Sequence, residues 1–169
     1  LSHSESANNH FVKADLSVDP LEPEIQFELH MSGYYASYLQ TAYSQISDDE
    51  KTRLEESLVE MVTMEKNDQA ELEVIVKSTV NSIRFSEKAG EKIIFKIGEL
   101  IGPQSEMYSE KERIHAVESD FNREFIRKLE IILPENYDVS NLEGLNFDVV
   151  FPDESAWFKS NYKLEGNLL

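Results

Sequence analysis

Four histidines, His3, His10, His30 and His115, are the first residues to weigh for chemistry. His115 follows Glu112 at the Glu-x-x-His spacing, which puts a carboxylate and an imidazole on one helix face. Carboxylate-bridged di-metal bundles use that pattern, but they need two such motifs and a Glu from each of two other helices. The chain has no second Glu-x-x-His, and Glu112 is also placed to cap a helix starting after Ser109. The pair therefore reads as a cap and a solvent-facing histidine. No metal and no other cofactor is expected. His3 and His10 lie in a polar stretch, where a metal site would have to order the whole segment.

Other reactive constellations are missing from the sequence. The chain has no cysteine, so thiolate nucleophiles, disulfides, zinc ribbons and thiolate-held clusters are excluded. It has no Gly-x-Ser-x-Gly elbow, no glycine-rich phosphate loop and no calcium loop. Chance pairs of carboxylates are common among 33 acids. Glu65 falls on the apolar side of an expected helix, near its end, and reads as a side chain reaching water. A carboxylate-based enzyme stays as a third functional reading, because acid–base catalysis needs only a few well-placed groups.

Charge points elsewhere. Against 33 Asp and Glu stand 16 Lys and Arg, a formal net charge of −17. Such a field repels nucleic acid, whose binding depends on neutralising phosphates, and attracts basic proteins. The leading expectation is a non-enzymatic, acidic domain that docks a basic protein partner. Asp49, Glu56 and Glu60 line the polar side of a helix after Ser47, and Arg53 balances part of them. Tyr34 and Tyr38 share a helix side and combine apolar area with a hydroxyl, as interface anchors do. Asp49, Glu56, Glu60, Tyr34 and Tyr38 are the expected partner-binding residues. The alternative is an accessory domain of an exported or surface-anchored protein, tethered through the polar spacer at residues 2–19. Exported and cytoplasmic locations stand level on the sequence. No apolar run approaches the ~20 residues of a membrane helix.

The elements that would position these residues look helical. No Gly or Pro occurs from Tyr34 to Ala89, and strands need turns that draw on both. Ser47/Glu50, Asp68/Glu71 and Ser109/Glu112 each match a helix-capping box ahead of an apolar stripe. Further helices are expected over residues 23–46 and 87–101. The fold expected is mainly α: one bundle of four to five helices over residues 23–133. A strand-containing C-terminal segment, residues 134–169, packs on it, with Trp157, Phe158, Tyr162 and Leu164 turned inward. Residues 1–22 form a polar, disordered tail. The alternative is α+β, with residues 25–31 and 92–97 pairing with 145–151 in a small sheet. The acid excess also predicts carboxylate pKa values raised on average, and so greater stability near about pH 5.5 than near about pH 8.

Overall fold

A computed structural model describes residues 6–57, 61–66, 72–102, 122–150 and 156–169. It overturns the helical bundle: strands take up 45% of the described residues and helices 24%, in three sheets. The main sheet is built from β1 (Ser6–Asp15), β2 (Glu24–Ser32), β3 (Met61–Lys66) and β4 (Leu72–Asn81), in the order β3-β4-β2-β1. These four are antiparallel neighbours. Two further strands, β7 (Arg123–Glu124) and β8 (Arg127–Ile132), lie parallel to β1 along its outer side. Between β2 and β3 run two helices, α1 (Tyr34–Gln45) and α2 (Asp48–Ser57). The hairpin of β5 (Ser86–Ala89) and β6 (Lys92–Phe95) turns through Gly90, at φ +66°, and is followed by the one-turn α3 (Ile97–Leu100). A separate hairpin pairs β9 (Phe147–Val150) with β10 (Trp157–Ser160).

The polar tail is in fact an inner strand. Within and just after β1, Val12, Ala14 and Leu16 are buried while Lys13 is exposed. That period of two builds a sheet face whatever the Ser and Asn content around it. Register carries the same face across the sheet. Ala14 stands opposite Ile25, and Ile25 opposite Val80; Met31 stands opposite Val74. Phe85 and Leu100 join Val12, Ala14, Leu16, Ile25 and Ile131 in one core cluster. A second cluster, Met31, Ala36 and Val74, lies under α1.

Each departure from the expected helices has a local cause. Residues 25–31 belong to β2, which stops at Gly33 with φ +61° and ψ −130°, a conformation an L side chain resists. The chain then enters α1. The box at Ser47 forms as expected. The Ser47 N–H and hydroxyl each donate to Glu50 Oε2 at 2.8 Å, and the Glu50 N–H donates to Ser47 Oγ at 3.3 Å. The helix is described over Asp48–Ser57, and residues 61–66 form β3 instead of continuing the expected stripe. The stripe after Asp68 becomes β4, where Val74, Ile75, Val76, Thr79 and Val80 supply β-branched side chains that favour a pleated surface. Asp68 and Ser109–Glu112 lie outside the described residues. The small-sheet alternative also fails in its pairing: β2, β6 and β9 sit in three different sheets.

Candidate functional site

The residues expected to bind a partner are not gathered at one place. Tyr34 and Tyr38 stand one turn apart on α1, 57% and 67% exposed. Asp49 is exposed in the first turn of α2. Twelve residues of α1 at ~1.5 Å each put about 18 Å between Tyr34 and the start of α2. Of Glu56 only the backbone is described, and Glu60 lies outside the described residues, as do Glu112 and His115. Glu65 is described only as backbone, in β3 rather than at a helix end.

The outer face of the main sheet holds a grid of charges that are mostly paired with one another. Lys77 Nζ lies 2.8 Å from Glu28, and Lys128 Nζ lies 2.8 Å from Glu130. His30 stands between two carboxylates, with Nε2 2.6 Å from Glu28 and Nδ1 3.2 Å from Glu73. Both contacts are hydrogen bonds together only when the ring carries both protons, since carboxylates accept and a neutral imidazole donates once. Hydrogen bonds from Lys77 and His30 hold the Glu28 carboxyl below its ordinary range, and the Lys128 bond does the same for Glu130. Glu28, Lys77, Lys128 and Glu130, with Phe11, Lys13, Gln26 and Thr79, line a shallow depression of about 440 Å³. Three lysines against two glutamates there leave no acidic pole. The net excess of the chain must show elsewhere.

On the core side, a polar seam closes the end of β1. Arg127 donates through Nε to the Ile101 carbonyl at 3.0 Å, and through Nη1 to the Asn8 and Ile126 carbonyls. Its guanidinium also lies 5.3 Å from the Phe125 ring. Burial first, and the Arg127 charge second, push His10 down to about 4, so this histidine is neutral near pH 7. The seam ties β8 to β1 through backbone carbonyls, a structural use of arginine. Among the described residues, no group of three or more His, Asp or Glu is arranged to hold a metal, and no helix is long and apolar enough to cross a membrane.

The hairpin β9–β10 is the surface that sequence reasoning placed wrongly. Trp157 and Phe158 are 59% and 58% exposed rather than packed inward. Phe147, Val149 and Val150 are each about half exposed as well. Register sorts them. Phe147, Val149 and Phe158 share one face, and the Phe147 and Phe158 rings meet at 6.1 Å. Trp157 and Val150 stand opposite each other on the other face, beside the Lys159–Asp148 ion pair at 3.2 Å. The alternation Leu145, Phe147, Val149 marked the strand in the sequence. Its exposure was not marked, because exposure depends on what packs alongside.

The hairpin lies in one of the two acid-rich ends of the chain. Residues 134–169 hold seven acids and two bases. Both bases are engaged locally, Lys159 with Asp148 and Lys163 with Glu165. Glu135, Asp138 and Glu143 have no basic partner among the described residues, and Asp153-Glu154 add two acids in the connection between the strands. Ser160 Oγ donates to the Leu145 carbonyl at 2.6 Å, holding the base of β10 to the turn that carries Glu143. Large apolar side chains surrounded by acids can cover an amphipathic basic surface: the rings take alkyl stems and guanidinium planes, and the carboxylates take the charges. No protein-family model, no curated protein and no solved structure matches this chain.

Proposed function

We propose that this chain is an acidic binding domain whose β9–β10 hairpin docks a basic protein partner. The observation that carries the reading is the conjunction at the hairpin. Five large apolar side chains, Phe147, Val149, Val150, Trp157 and Phe158, are half exposed within a segment of seven acids and two bases. An exposed apolar cluster inside a polar surround is the usual mark of an interface. The −17 charge adds long-range steering, which speeds encounter with a basic partner and weakens as salt screens it over ~8–10 Å.

The test is capture from the native host with the wild-type chain and with a Trp157→Ser/Phe158→Ser variant. Both side chains are more than half exposed, so their joint loss costs folding stability about 1–2 kcal/mol, less than the deletion of buried aromatics. The variant should lose at least about 1–2 kcal/mol of partner affinity, roughly tenfold, as truncated interface anchors do. The captured partner should be basic and released by salt. A partner that is acidic, or one retained equally by the variant, would contradict the reading.

A further inference from the structure

The hairpin differs from the main sheet in one respect that bears on what its partner looks like. The main sheet gives β1, β2 and β4 a neighbour on each side. Among the described residues, β9 and β10 have only each other. Each strand therefore keeps one row of backbone N–H and C=O groups with no strand beside it among the described residues. A two-stranded ribbon is marginal in water without a third strand or a covering surface. An open edge of this kind is a ready template for another extended chain.

We propose that the basic partner binds as an extended segment, added as a third strand to the β9–β10 ribbon, with alternating basic and apolar residues. The inference rests on the reading of the hairpin as a docking surface and specifies the occupant. Three observations favour such a strand. First, the side chains of the ribbon alternate between two faces, both partly apolar: Phe147, Val149 and Phe158 on one, Trp157 and Val150 on the other. A strand laid alongside projects its own side chains to those same two faces, so its apolar residues would extend either cluster. Second, the segment that carries the ribbon holds seven acids against two bases in sequence, and Glu143, exposed in the turn before β9, has no basic partner among the described residues. Lysine or arginine at alternate positions answers them. Third, the same charge disfavours a second copy of this chain as the added strand, because two such segments bring like charges edge to edge. An acidic flank protects the open edge from self-pairing while leaving it open to a basic strand.

The experiment uses the intact chain and a synthetic eight-residue peptide of alternating lysine and valine, with two derivatives N-methylated on every second residue, one in each register. Methylation removes the backbone donors on one side of the peptide and leaves its charge intact. The unmodified peptide should bind at low salt, and at least one methylated derivative should bind about tenfold more weakly or worse. Amide exchange within β9 or β10 should slow when the unmodified peptide is present. Binding of both methylated derivatives as strongly as the parent, or binding with no new amide protection in either strand, would overturn strand addition and leave an acidic docking surface standing. No binding of any of the basic peptides would overturn both. Sedimentation showing the chain to be a dimer, through protection of the same two strands, would make a second copy the occupant and overturn the proposal.

Discussion

At the scale of single residues, His10 and Trp157 show how little side-chain type says about role. His10 sits in a stretch rich in Ser and Asn, yet it faces Gly102 and Arg127 on the core side of the sheet. Its downward shift carries a sign. The folded state refuses a proton that the unfolded chain accepts, so the stabilisation is complete above about 6.5 and is lost as pH falls towards about 4. Proton NMR should find one histidine, His10, still neutral near pH 5 and titrating near about 4. A His10 midpoint in the ordinary range near ~6.5 would mean that the ring is solvated and that the seam with Arg127 does not form. Trp157 is the reverse case: the most apolar-looking residue of the C-terminal segment is left open to solvent.

At the scale of elements, the legible and the illegible parts separate on physical grounds. The box at Ser47 was legible because a side-chain oxygen and a Glu three residues on satisfy local amides without help from the rest of the fold. The run from Leu72 to Asn81 fits both periods, since Leu72, Ile75, Val76 and Val80 mark a helix stripe while Val74, Val76 and Val80 mark a strand face. Its β-branched content decides for the strand. β1 was legible in its alternation and hidden by its composition. The lack of Gly and Pro from Tyr34 to Ala89 misled because α1 and α2 lie between β2 and β3 and take up much of that stretch. Of the C-terminal hairpin, β9 was legible as a strand, while the exposure of both strands was not legible. Gly33 marks the break between β2 and α1. Its φ and ψ of +61° and −130° lie where only glycine is at ease, and the next residue's N–H donates to the buried Ser6 Oγ at 3.0 Å. Gly33→Ala should therefore destabilise the chain by ~1–3 kcal/mol in chemical denaturation. An unchanged midpoint would show that the junction of β2 and α1 relaxes freely.

At the scale of the whole molecule, local hydrogen bonds oppose the repulsion expected from the acid excess. Among the described carboxylates, every resolved shift is downward. Asp15 is held down by Ser17, Glu28 by Lys77 and His30, Glu50 by Ser47, and Glu130 by Lys128. Groups with depressed folded values contribute stability that is present above their ordinary values near ~4 and lost as pH falls through that range. His10 works in the same direction at slightly higher pH, by about 1 kcal/mol at most once its partial exposure is discounted. The melting temperature at low salt should thus be no higher near about pH 5.5 than near about pH 8, and should fall steeply below about pH 4.5. A higher melting temperature near about pH 5.5 would restore net repulsion as the governing term.

On the proposed reading the net charge serves encounter, and the hairpin is where acid-rich sequence meets exposed apolar surface. Trp157 is the single tryptophan of the chain, so its fluorescence reports on that surface alone. The most direct measurement is its emission during titration with the alternating lysine–valine peptide at low salt, beside a glutamate–valine peptide of equal length. The basic peptide should shift the emission to shorter wavelength with saturation, and added salt should reverse the shift, while the acidic peptide leaves the emission where it was. An emission maximum unmoved by the basic peptide, or moved equally by both, would contradict the account of the hairpin as an acidic docking surface.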